Sequence, residues 1–98
     1  MEREQPRVVL TDKDGFKVRG EVIHVGRDVG ADGSFELILC ILEWLDLGKY
    51  PAVLTTSQET LQGSYEVWGA TLERNEDVTV IGHFQREQKR GPAEMPLM

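Results

Sequence analysis

Ninety-eight residues, 40% of them apolar and 29% charged, give room for a single domain (1–98) with one modest core. No apolar run reaches the roughly eighteen residues of a membrane span, and the charged first residues do not resemble a secretory leader, so the chain is expected to be cytoplasmic and away from membranes. The net charge of −6 is concentrated in residues 31–77, which carry nine acidic against two basic side chains, and this opposes non-specific nucleic-acid binding, whose affinity comes from cations that displace counterions at phosphates. Residues 1–30 are neutral, so a local basic groove stays open. The one cysteine, Cys40, lies in an apolar run and is expected to be a buried, inert thiol.

In chain order, Arg7-Val-Val-Leu-Thr predicts a short strand that turns at Asp12-Lys-Asp-Gly15, because glycine tolerates the positive φ a hairpin needs. A long strand follows over 16–28, with Phe16, Val18, Gly20, Val22 and His24 on one face and Lys17, Arg19, Glu21, Ile23 and Val25 on the other. Gly20 and Gly26 suit a bulge or a bend within it. After the turn at Asp28-Val-Gly-Ala-Asp-Gly33, residues 36–47 are apolar at both parities; Phe35, Ile38, Ile41 and Trp44 favour a central strand, and a buried helix remains the alternative. Gly48-Lys-Tyr-Pro51 breaks the run before another short strand, Ala52-Val-Leu-Thr-Thr56.

From Thr56 the period changes. Leu61, Tyr65, Trp68 and Leu72 recur at helical spacing, and Thr56-Ser-Gln-Glu59 has the form of a capping box, so a short helix is the first reading. Gly63 and Gly69 disfavour it, and the same residues also fit an alternating strand. Asn75-Glu-Asp77 then turns the chain into a strand over 78–86, and Gln88-Lys-Arg-Gly-Pro92 marks a further turn, leaving 87–98 as a flexible or truncated terminal hairpin. The expected fold is mainly β: a small five- to six-stranded antiparallel barrel of OB type, with one short helix between its third and fourth strands.

At Val18-Arg-Gly-Glu-Val-Ile-His-Val-Gly-Arg27, Phe35-Glu-Leu-Ile-Leu and Val78-Thr-Val-Ile-Gly-His-Phe-Gln-Arg86, the chain resembles the OB-fold of the bacterial single-stranded DNA-binding and primosomal replication protein N families. The resemblance implies a basic, aromatic-bearing hairpin after the fourth barrel strand, where Phe84, Arg86, Lys89 and Arg90 stand. The chain departs from the family in a stunted last strand and a thin set of aromatic platforms.

A single-strand binder stacks bases on aromatic faces beside cations that follow the backbone. The candidate set is Lys17, Arg19, Arg27, Phe84, Arg86, Lys89 and Arg90, with Trp44 and Tyr50 as platforms. Against it, Trp68, Phe16 and Phe35 are expected in the core, as is Trp44 at the end of a hydrophobic strand. The loop Asp12-x-Asp14-Gly15 with Glu21 resembles part of a calcium loop, but Leu10 holds its first position and a hairpin turn is the expected outcome. Cys40, His24 and His83 show no zinc spacing, and neither a metal nor a cofactor is expected. Ser34, Ser57 and Ser64 sit in turn or cap contexts, so no enzyme is expected.

Two functions from different classes remain. One is a binding module for single-stranded nucleic acid in replication or recombination, acting as a homodimer through an unpaired strand edge. The other is an acidic interaction or inhibitory module that meets a basic protein partner through Asp32, Glu36, Glu43, Asp46, Glu59, Glu66, Glu73, Glu76 and Asp77. An acidic back opposite a basic aromatic groove would favour the first; one contiguous acidic face would favour the second. A ligand-binding barrel or enzyme would instead need a deep pocket holding His24 or His83.

Overall fold

The computed structural model describes residues 5–30 and 33–87, and at 27–29 the backbone alone. Six strands follow one another: β1 (Arg7–Thr11), β2 (Lys17–Val29), β3 (Phe35–Ile41), β4 (Gly48–Thr55), β5 (Thr60–Leu72) and β6 (Val78–Arg86). All pairs are antiparallel, and the strands close into a barrel in the order β1-β2-β3-β6-β5-β4. Two three-stranded meanders, β1-β2-β3 and β4-β5-β6, are thus joined edge to edge through β1–β4 and β3–β6. Each has a 13-residue middle strand that reaches beyond its shorter neighbours. The barrel is closed, where an OB barrel is partly open and five-stranded.

Three of the hairpins use one device. In Asp12–Phe16, Gly30–Ser34 and Glu73–Asp77 the first residue donates to the carbonyl of the fifth, and the fourth donates back to the first. The fourth residue takes the left-handed conformation: Gly15 at φ 89°, Gly33 at 85° and Glu76 at 74°. A left-handed residue thus closes each of the three hairpins, the conformation that glycine adopts at no steric cost. Glu76 is the one side chain in that role, so Glu76→Gly is expected to stabilise the barrel by about 0.5–1 kcal/mol. A higher urea midpoint with unchanged slope would show it, and an unmoved midpoint would contradict it. At the first hairpin Asp12 Oδ1 accepts from the amides of Asp14 (2.9 Å) and Phe16 (2.8 Å), so that carboxylate is spent on the turn.

The helix expected between the third and fourth barrel strands is absent; its residues form β5. Thr56 Oγ1 does accept from the amides of Gln58 and Glu59, both at 3.1 Å, as a cap would. The same hydroxyl geometry serves the tight β4–β5 turn, where Thr56 N also donates to the Glu59 carbonyl. The helical spacing has a simple origin. Inside β5 the inward set runs Leu61, Gly63, Tyr65, Val67, and a bulge between Val67 and Gly69 then inserts one residue and moves the parity to Ala70 and Leu72. The four-three-four spacing thus joins residues on both sides of the bulge, Tyr65 in the core with Trp68 and Leu72 exposed, and marks no single face. That extra residue is Trp68, which is expelled to the outside.

The apolar run after the second hairpin is a strand only as far as Ile41. Residues 42–47 then cross one mouth of the barrel, and Leu45 is buried there as a stopper. The core beneath it is built from inward residues of all six strands, among them Leu10, Val22, Leu39, Leu54, Tyr65 and Val80. Tyr65 is its largest fully buried side chain. Its hydroxyl donates to the Leu37 carbonyl at 2.6 Å and lies 3.3 Å from that of Val80, which ties β5 to β3 and β6 through the interior.

Candidate interaction face

Among the described residues, the expected nucleic-acid set is divided. Lys17 and Arg19 are exposed at the start of β2, opposite Thr11 and Val9 of β1, and Lys17 Nζ donates to Thr11 Oγ1 at 3.0 Å. Arg86 is exposed at the end of β6, opposite Gly63. Only β3 separates β2 from β6, but the start of β2 lies level with Val78 through Ile41, whereas Arg86 lies past Phe84 at the other end of β6, so these cations stand at opposite ends of the barrel. Tyr50 is 3% and Phe84 0% exposed. The Tyr50 hydroxyl donates to the Asp46 carbonyl at 2.7 Å, and the Phe84 ring lies 5.6 Å from that of Phe35. Neither has a face left for a base, because inward parity on a closed barrel commits both to the core. The Arg27 side chain, Lys89 and Arg90 lie outside the described residues, as does the terminal hairpin beyond Glu87.

Some of the set does meet. An open groove of 680 Å³ is lined by Lys49, Tyr50, Pro51, Gly63, Ser64, Gln85, Arg86 and Glu87, so Tyr50 and Arg86 share one wall, with Tyr50 buried beneath it. Trp44 is 55% exposed on the mouth-crossing segment rather than buried, with its indole N–H on Asp46 Oδ1 at 3.3 Å. Phe16, Leu42 and Leu47 are also exposed. Phe16 was expected in the core, but it lies before β2 begins, in the hairpin at the same mouth. His24 on β2 and His83 on β6 are separated by β3. Among the described residues no group of three or more His, Cys, Asp or Glu could hold a metal ion.

Sequence reasoning missed the outer face of β2-β3-β6-β5, which the strand registers build in three rows. The middle row runs His24, Ile38, Ile81, Gly69. Ile23 and Val25 flank it on β2 and Trp68 on β5, and Ile23, Val25, Trp68 and Ile81 are exposed. One outer row runs Glu21, Cys40, Thr79, Thr71, and the other Glu36, His83, Glu66, continued by Lys49 of β4. An apolar stripe therefore lies between two rows that carry carboxylates. Trp68, 52% exposed, stacks on His83 with centroids 4.6 Å apart and planes at 21°, which holds the indole against the His83 row.

Carboxylates also gather at the end of the stripe nearest the β5–β6 turn. The Cys40 thiol donates to Asp77 Oδ2 at 3.6 Å. Its pKa is raised above the ordinary value by burial first, then by Asp77, Glu21 and Glu73, so it is half-buried and held as a thiol by three neighbouring acids. Asp77 Oδ2 also accepts from Asn75 Nδ2 at 3.0 Å. Ile23, Cys40, Glu73, Arg74, Asn75, Asp77 and Thr79 line the hollow there.

One signal for this face was in the sequence. Leu37 and Ile38 on β3, and Val80 and Ile81 on β6, are adjacent apolar pairs, and on a barrel wall one member of each pair must point outward. Soluble chains seldom group such residues on the surface without a partner. Comparison with known protein families, with curated proteins and with solved structures finds no significant match for the chain.

Proposed function

We propose that this protein is a non-catalytic interaction module that docks a basic protein partner on the outer face of β2-β3-β6-β5. The observation that carries the reading is the apolar row around Ile38, Ile81 and Trp68 set between carboxylate rows. Apolar contact in the middle would supply affinity, and the acidic rim would steer and select a cationic surface. The single-strand reading is less well supported, since it needs cations beside exposed aromatic faces, and of its aromatic residues Tyr50 and Phe84 are buried and Trp44 alone is exposed.

The test is retention of basic proteins from a lysate on immobilised wild-type chain and on Ile81→Asp, with elution by rising salt. Ile81 sits at the centre of the row, so its replacement by a carboxylate is expected to weaken binding by at least about tenfold, as loss of an interface anchor does. A thermal melt of each variant separates lost docking from lost fold. Equal retention of the same proteins by a folded Ile81→Asp variant would overturn the assignment of the face.

A further inference from the structure

We propose that the partner engages this module by strand addition, pairing an extended basic segment with the free edge of β5 at residues 68–72. The inference rests on the docking face proposed above and names how its occupant is held. β5 is paired with β4 only from Thr60 to Val67, whereas its pairing with β6 continues to Leu72. Gly48, the last partner on β4, has φ 141°, and the chain turns away there into the mouth-crossing segment. Among the described residues no backbone hydrogen bond reaches 68–72 from any element other than β6. Roughly 17 Å of strand edge is thus left with amides and carbonyls for a new chain, a surface that proteins commonly either protect or use.

Two further observations support this edge. A side chain built on Gly69 would meet nothing within 4 Å, so the outer face over this end of β5 is open to the side chains of an added strand. The edge also borders the apolar row through Trp68 and Gly69, so a strand laid there would continue the docking face. On the corresponding edge of β2, Gln5 and Pro6 bond Val22, through Gln5 Nε2 and the Pro6 carbonyl, and so cover its first residue. Charge decides the occupant. Glu66 stands at one end of the edge and Glu73, Glu76 and Asp77 at the other, with Arg74 among them. A second copy would bring like charges together, whereas a β-forming segment with lysines at its ends would meet opposite charges.

The experiment is amide hydrogen exchange followed by NMR on the full chain with the peptide Lys-Lys-Val-Thr-Val-Thr-Val-Lys-Lys. The same peptide N-methylated at alternate residues, which cannot complete a ladder, serves as the control. The expected result is exchange slowed by about tenfold or more at edge amides within 68–72, absent with the methylated peptide and lost in Gly69→Lys. That variant places a cation on the outer face over this edge, where it repels the lysine-ended peptide, and the open space around Gly69 lets it fold. If both peptides bind equally, shifting Ile81 and Trp68 without protecting 68–72, strand addition is overturned and the docking face stands. If neither peptide binds, both readings fall. Protection that depends on protein concentration without peptide would overturn the proposal in favour of pairing between copies.

Discussion

Gly82→Ala is expected to destabilise the barrel by about 3 kcal/mol or more, the upper range for overpacking. Gly82 lies on β6 opposite Val67 of β5 and Leu37 of β3. A Cβ there would strike the Glu66 carbonyl oxygen and come within 2.8 Å of Tyr65 Cζ. The first obstacle is backbone held in the β5–β6 ladder, and the second is the ring tied by its hydroxyl to the Leu37 carbonyl, so neither can yield cheaply. Gly69→Ala, one strand away, is the control, since its Cβ meets nothing within 4 Å. Urea melts should place Gly82→Ala far below wild type and Gly69→Ala close to it. Equal midpoints for the two variants would show that the close approach of β5 to β6 is not what this packing implies.

Alkaline pH should unfold the barrel through Tyr65. Burial, and secondarily Glu36, raises its pKa far above the ordinary value of 10. Below about pH 10 the phenol is protonated in both folded and unfolded chains and its stabilising contribution is complete. Above that, the unfolded chain releases a proton that the folded chain keeps. Stability then falls by about 1.4 kcal/mol per pH unit until the raised folded pKa is reached. Tyr50, raised by burial and then by Asp46 and Asp12, adds to the fall, and Cys40 begins earlier, above its ordinary value of 9.0. Tyr65→Phe isolates the first contribution. It should be less stable than wild type by about 1 kcal/mol at neutral pH, from the lost hydroxyl bond, and the gap should close and then reverse near about pH 11. A gap that stays constant to pH 12 would contradict the account.

Five of the six strands and the turns between β1 and β2, β2 and β3, and β5 and β6 could be read from the chain, because period-two alternation and Gly- or Asn-bearing turns are local signals. Ser34, Leu37 and Val80 needed no tertiary information to be placed beside a turn or in a wall. The misreadings of β5 and of His24 share one cause. Bulges change parity, and parity decides which side of a barrel wall a residue faces. The bulge between Val67 and Gly69 made β5 look helical and sent Trp68 outward, and the irregularity between Val22 and His24 turned His24 from the expected inner face to the outside. The interaction face was hidden for a different reason. Its rows join residues from four strands, and only the registers bring Glu36, His83 and Glu66 into one line, or Ile38 beside Ile81. Conversely, Phe84 and Arg86 share one parity on β6, but Phe84 lies within the core and Arg86 is the last residue of the strand and exposed, so a motif read as one basic aromatic unit is divided by the end of the core.

The central claim is that the acidic apolar face, rather than a basic groove, is what this protein binds with. The most direct measurement titrates wild type, Ile81→Asp and Arg86→Ala, at low and at physiological salt, with a fluorescent oligothymidine and with the labelled lysine-ended β-forming peptide. The account predicts peptide binding that weakens with salt, is lost in Ile81→Asp and survives in Arg86→Ala, with no comparable affinity for oligothymidine. Salt-sensitive oligothymidine binding that survives Ile81→Asp and is lost in Arg86→Ala would contradict it.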